Sequence, residues 1–311
     1  MSPYQNTSIA ILMCTYNGEN FLEEQLDSIE NQDYKNWTLY VNDDGSKDAT
    51  LVILKCYQKK WGNKKLIIRR GPQKGFTQNF LQIICDKKIQ ADLYFLSDQD
   101  DVWLPTKITA AITYLKIQDQ SRPQLYCGRT SYVTKKLKFI QHSDLFLRPR
   151  SFNNAIVQSI AGGNTMAYNN ALKKITSLFP EIKIISHDWW LYILCELSGG
   201  ETYYDINSYT LYRQHDHSLI GANTTWLAKV KRLYMLFSGK FIQFNDCHYK
   251  AFNTISLKFA NPSHINIIDR FYTDRNKDFK TRLKMIRGLG IYRQTRCGML
   301  ALYLAALLNR L

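Results

Sequence analysis

The stretch Leu93-Tyr94-Phe95-Leu96-Ser97-Asp98-Gln99-Asp100-Asp101-Val102-Trp103-Leu104-Pro105 runs from an apolar segment through a cluster of acids to a proline. Residues 93–96 read as a buried strand. Pro105 suits the first turn of a helix, expected over residues 106–118. Between them, three carboxylates lie within four positions and repel one another. A folded chain keeps them together at a strand end only in bulk water or around a cation. Oxygen ligands suit Mg²⁺ or Mn²⁺, and Mg²⁺ is commonly held by one or two carboxylates plus substrate phosphates. The rival reading is local: Asp100 or Asp101 caps the following helix or closes an Asx turn.

Upstream, the pattern repeats. Residues 8–14 are a short apolar run, broken by Thr15-Tyr16-Asn17-Gly18. An amphipathic helix is expected over 21–31, with Phe21, Leu22, Leu26 and Ile29 on one face and Glu23 and Glu24 near its start. Strand 37–41 leads to the turn Asn42-Asp43-Asp44-Gly45-Ser46, and Asp48 is placed to cap a helix over 49–61. Strand 66–68, loop 71–75 and helix 76–87 precede the acidic stretch. This alternation predicts an α/β fold, Rossmann-like, with a mainly parallel sheet. Ligands bind beyond the carboxyl ends of such strands. The fold would gather Thr15-Tyr16-Asn17, Asp43-Asp44-Gly45-Ser46 and Asp98-Gln99-Asp100-Asp101 there.

Downstream the periodicity weakens. Short β-like pieces are expected at 125–132 and 202–204, and a buried helix at 189–197. After Gly221 the chain turns basic, aromatic and helical, with a break near Pro262. The expected division is an α/β domain over 1–222, in two parts, 1–125 and 126–222. A basic helical extension covers 223–311. Net charge is +15; residues 226–311 hold 16 of the 41 Lys and Arg but only 4 of the 26 Asp and Glu, so the extension carries +12. That asymmetry points to an anionic partner, nucleic acid or a membrane surface. The extension reads either as an amphipathic surface on anionic lipid or as a helical cap with a solvated basic face. Seven widely spaced cysteines without a Cys-x-x-Cys argue against a zinc site or disulfide framework and suggest a reducing cytoplasm. Neither a signal peptide nor a spanning helix is expected.

The segments Ile11-Leu12-Met13-Cys14-Thr15-Tyr16-Asn17, Asn42-Asp43-Asp44-Gly45-Ser46-Lys47-Asp48 and Asp98-Gln99-Asp100-Asp101-Val102-Trp103 resemble, in that order, family 2 inverting glycosyltransferases of the GT-A fold. Ala161-Gly162-Gly163-Asn164-Thr165-Met166-Ala167-Tyr168, His187-Asp188-Trp189-Trp190 and Tyr212-Arg213-Gln214-His215 are similar, more narrowly, to bacterial rhamnosyltransferases that build surface polysaccharides. The resemblance implies a nucleoside-diphosphate sugar donor, with dTDP-rhamnose favoured and UDP-hexoses open, and a lipid-linked glycan acceptor at the inner face of the cell membrane. Thr15 and Tyr16 would line the base and ribose pocket, and Asp44 would accept the base N3–H. Lys74 would reach a phosphate, or is an exposed loop lysine. Asp98 would lie near the ribose or a metal-bound water. Asp100 would bind the metal directly, with Asp101 behind it and His215 completing the site; an ordinary surface histidine is the rival for His215. Arg213 would pair with the diphosphate.

Asp188 is the expected general base, taking the proton of the acceptor hydroxyl, or else an N-cap. His187 stands where the family usually has an acid. Trp189 and Trp190 would stack on a sugar or belong to the core. Gly163 would let backbone approach the acceptor, or marks a bend. Against these stand a nucleic-acid-binding protein, supported by the basic tail but by no recognition motif, and a dinucleotide oxidoreductase, which lacks the Gly-x-Gly-x-x-Gly turn. A catalytically silent sugar-nucleotide binder is separable only by turnover.

Overall fold

The computed structural model describes residues 6–214, 239–255 and 257–311. Strands and helices alternate from the start: β1 (Ile9–Thr15), α1 (Leu22–Glu30), β2 (Trp37–Asp43), α2 (Thr50–Trp61), β3 (Leu66–Arg70), α3 (Phe76–Cys85) and β4 (Leu93–Ser97). β1 pairs in parallel with β2 and β4, and β2 with β3. Every residue of β1 is buried, as expected of a strand covered on both faces. Its side chains alternate between two cores: Ile9, Ile11 and Met13 join one, Ala10, Leu12 and Cys14 the other. Leu22 and Leu26 of α1 face the first core; Phe80 and Ile84 of α3 face the second.

Beyond β4 the sheet changes character. The two-residue β5 (Val102–Trp103) and α4 (Lys107–Leu115) follow the acidic stretch. Then come β6 (Gln124–Val133), β7 (Phe139–His142), α5 (Phe152–Ala155), β8 (Ala167–Asn169), α6 (Asn170–Thr176), α7 (His187–Leu197) and β9 (Glu201–Arg213). The strand order is β3-β2-β1-β4-β8-β6-β9-β5, with β7 beside β6. β4/β8, β6/β8, β5/β9 and β6/β7 are antiparallel, while β6/β9 is parallel. The sheet is therefore parallel over its first four strands and mixed thereafter, not mainly parallel throughout. β9 runs 13 residues, joining the β-like piece at 202–204 to the strand expected before Tyr212. Its middle carries Asp205, Asn207 and Ser208, and its pairing with β6 shifts register there, which hides the alternation.

Four helices close the chain: α8 (Lys240–Thr254), α9 (Pro262–Asp274), α10 (Phe279–Gly288) and α11 (Arg296–Leu307). Pro262 opens α9 behind the Asn261 side chain, which accepts from Ser263 N at 3.1 Å. Phe252, Phe271, Met285 and Leu302 share one core cluster with Trp190 of α7, so these helices cover the α7 side of the sheet. No described helix is long and apolar enough to cross a membrane. All seven cysteines are free.

Candidate active site

The carboxyl ends of β1, β2 and β4 are tied together by side chains. Gln99, inside the acidic stretch, accepts from Tyr16 N at 2.9 Å through Oε1 and donates to Tyr16 O at 3.0 Å through Nε2. Thr15 Oγ1 donates to Asp43 Oδ1 at 2.9 Å, and Asp43 also accepts from the amides of Gly45 and Ser46. Thr15 is thus buried with its hydroxyl engaged, while the Tyr16 ring is 56% exposed at the cleft.

Asp44 N donates to Thr15 O at 2.8 Å. The Asp44 carboxylate accepts from Gln73 N at 2.6 Å and from Gly75 N at 3.0 Å, which shapes the loop after β3. That loop needs glycine at Gly71: a Cβ there would lie 2.7 Å from Asn79 Oδ1 and 2.8 Å from Asp44 Oδ1. Lys74 is exposed on the same loop.

The acidic stretch is divided by burial. Asp98 Oδ1 is buried and makes no hydrogen bond. Burial raises the Asp98 carboxyl well above the usual range, and the charges of Asp101, Asp100 and Asp188 add to the effect. Asp188 is therefore close enough for its charge to act on the donor-side acids. Asp101 is fully buried; its Oδ2 accepts from Asn164 Nδ2 at 2.5 Å and its Oδ1 from Arg213 N at 3.4 Å. Burial and the Asp100 charge push the Asp101 carboxyl up to about 8, opposed by those donors and Lys107.

Lys107, which the sequence reading missed, is buried under this stretch. Its Nζ donates to Asn164 O at 2.7 Å and Thr210 Oγ1 at 2.8 Å and lies 4.7 Å from the Trp103 ring centre. Burial pulls its pKa down to about 7, against the pull of Asp101 and Asp98. The available signal was a lysine two residues after Pro105, at the start of the helix that follows β5.

Arg213 differs from expectation. Its guanidinium is 1% exposed and is spent behind the acidic stretch. Nε donates to Asp100 O at 3.0 Å, one terminal nitrogen to Glu24 Oε2 at 2.5 Å and the other to Lys135 O. The group also stacks over Phe21, 4.6 Å from the ring centre. Arg213 braces the backbone of Asp100 and does not reach toward a diphosphate.

On the opposite wall, α7 begins at His187 with Ser186 at its cap position, so Asp188 is not the N-cap. Asp188 sits in the first turn, where the helix dipole favours its charge, and its Oδ1 accepts from Trp189 N at 2.6 Å. His187, a residue whose role the sequence did not reveal, is buried and stacked on Phe80 at 4.0 Å. Burial pulls its pKa down to about 4, so it is neutral at pH 7. Gly163 makes room for it: a Cβ there would lie 2.5 Å from His187 Nε2. Gly163 therefore serves a close approach of the 162–164 loop to α7. Trp189 and Trp190 are both core. Trp189 donates from Nε1 to Ala155 O at 2.7 Å, and both rings pack against His248 of α8. Neither offers a face to a sugar.

His215 lies outside the described residues. Among the described residues, no three His, Cys, Asp or Glu side chains are grouped to hold a metal. What is present is an all-oxygen donor set, Asp98 and Asp100, with an unpartnered buried carboxylate oxygen and an excess of negative charge. That chemistry fits a hard divalent cation shared with phosphate oxygens.

Comparison with known proteins bears on the family and the fold. Residues 10–192 match the model of glycosyl transferase family 2. The chain is 29% identical over 265 residues to a dTDP-rhamnosyl transferase, RfbG, of Shigella flexneri, covering 82% of this chain and 86% of that protein. It is 27% identical over 240 residues to an uncharacterised glycosyltransferase of Rickettsia typhi, covering 74% and 70%. In fold it is similar to S. aureus TarS residues 1–349, with a TM-score of 0.56 at 15% identity over 96% of this chain and 81% of that one.

Proposed function

We propose a reaction for a chain that belongs to glycosyl transferase family 2: inverting transfer of L-rhamnose from dTDP-rhamnose to a hydroxyl of a lipid-linked glycan, in bacterial surface polysaccharide synthesis. In this reading residues 1–222 carry the chemistry and residues 223–311 are a basic extension, with the enzyme peripheral at the cytoplasmic face of the membrane. The observation that carries it is the convergence of Tyr16, Asp44 and Asp98 at the strand ends, with Asp188 in the first turn of α7 near enough for its charge to act on Asp98. The rhamnose donor is favoured by likeness to the Shigella transferase.

Tyr16 and the Asp44 turn would receive the nucleoside, with Lys74 on the neighbouring loop within reach of the phosphates. Asp98 and Asp100 would hold Mg²⁺ or Mn²⁺, which supplies charge neutralisation for the departing diphosphate. Asp188 would take the proton of the acceptor hydroxyl as its oxygen attacks the anomeric carbon. Its place on a packed helix, with His187 wedged against Phe80, fixes where that base stands. In sequence the basic residues cluster in 226–311, outside the strand-end segments that form the site, so this reading needs no nucleic-acid partner.

The test is a thermal-shift screen of dTDP-rhamnose, UDP-hexoses and the free nucleotides, each with and without Mn²⁺. A ligand of the folded state raises apparent stability with its concentration. The proposal expects the largest metal-dependent shift with dTDP-rhamnose. A larger shift with a UDP-hexose would reassign the donor, and no shift with any of them would overturn the reading.

A further inference from the structure

α11 has two opposite arcs. At about 100° per residue, Leu302, Ala305 and Ala306 point into the core and are fully buried. Cys297, Leu300, Ala301, Leu307 and Leu308 occupy the other side, an arc about 120° wide, and Leu304 between them packs partly against the core. On that side Leu300 is 61% exposed, Leu307 53% and Leu308 41%. Scattered exposed leucines are ordinary, but an aligned apolar face on one helix calls for a partner.

The neighbouring α10 packs against α11, and Arg282 fixes the pair by donating to Ala306 O at 2.6 Å and Asn309 Oδ1 at 2.9 Å. Opposite the buried Arg282, Met285 and Ile286, α10 exposes Lys280, Lys284 and Arg287, spaced i, i+4, i+7. From Phe279 to Leu311 the chain carries seven Lys and Arg and no Asp or Glu. An apolar arc beside a basic stripe, with Asp278 at the N-cap of α10 as the adjoining acid, matches an anionic lipid surface. A second copy of the same face would bring like charges together.

We propose that the outer face of α10 and α11 rests on anionic lipid, the leucines of α11 entering the boundary between headgroups and acyl chains. This deepens, and rests on, the membrane placement in the proposed function. The helix lies in the plane of the surface and does not span it.

The test is co-sedimentation of the full chain with phosphatidylglycerol-rich vesicles and with pure phosphatidylcholine vesicles. The wild type is expected to bind the anionic vesicles and to be released by salt. Leu300→Asp/Leu307→Asp is expected to lower partitioning by about tenfold or more, with circular dichroism and the urea midpoint unchanged. Lys284→Glu/Arg287→Glu is expected to weaken binding through charge alone. If the leucine variant binds like the wild type, this face is wrong while membrane placement stands. If the wild type stays in the supernatant, both are overturned. A wild type that is dimeric by light scattering beside a monomeric leucine variant would make the face a self-interface and overturn the proposal.

Discussion

Asp101 Oδ2 accepts a hydrogen bond of 2.5 Å from Asn164 Nδ2, across 63 residues of sequence and between two fully buried groups. It joins the acidic stretch after β4 to the 162–164 loop. Lys107 Nζ holds the same Asn164 through its carbonyl. Both partners are out of water, so neither has a substitute for the other.

Asn164→Ala is therefore expected to destabilise the fold by about 2–3 kcal/mol, because it strands a buried carboxylate oxygen. Urea denaturation measures this. A loss below about 0.5 kcal/mol, the size of an exposed hydrogen bond, would mean that the bond does not hold the stretch and the loop together.

Gln99 makes its two bonds to the backbone N–H and C=O of Tyr16, on either side of the carbon that carries its ring. Gln99→Ala is expected to leave the melting temperature nearly unchanged and to weaken dTDP binding by about tenfold, as two hydrogen bonds of modest net worth are lost. Isothermal titration with dTDP and Mn²⁺ checks it; unchanged affinity would separate Tyr16 from the nucleoside pocket.

Gly163→Ala places a methyl carbon 2.5 Å from His187 Nε2, and packing strain of about 1–3 kcal/mol follows. His187→Ala alone opens a cavity beside Phe80. In the double variant the new methyl has room, so the combined loss is expected to be less than the sum. Strict additivity would show that the two residues do not compete for the same space.

Two buried histidines set the acid limit of stability. Burial pulls His187 down to about 4 and His248, pressed against the edge of Trp189, down to about 3. Unfolded histidines take up protons near pH 6.5 while these stay neutral, so the unfolded state binds more protons below that value. Their contribution to stability is full above about pH 6.5 and falls as pH drops toward 4, by on the order of 3 kcal/mol for each group, while the raised Asp98 and Asp101 carboxyls act in the opposite sense over the same range. His248→Leu should flatten this limb of the urea-stability curve. An unaltered limb would place the titration elsewhere.

The parallel half of the sheet was legible because its strands are short apolar runs closed by Gly, Asn and Asp turns. β8 is three residues long and β9 alternates imperfectly, so neither carries a readable period. Of the site, the strand-end clusters were visible because backbone topology alone gathers them. Lys107 and His187 were not, since burial depends on α4 and α7 packing over a sheet whose far half could not be ordered. The same gap explains Arg213 and the two tryptophans: a guanidinium and two indoles suit a ligand or a core equally, and only packing decides.

The role of Asp188 is the centre of the account. The direct measurement is single-turnover transfer from labelled dTDP-rhamnose to a lipid-linked acceptor by the wild type and by Asp188→Asn, with dTDP affinity measured in parallel. Removal of a general base predicts a rate lower by about 10²–10⁴-fold with dTDP binding retained. Turnover in Asp188→Asn within a few-fold of the wild type would contradict it.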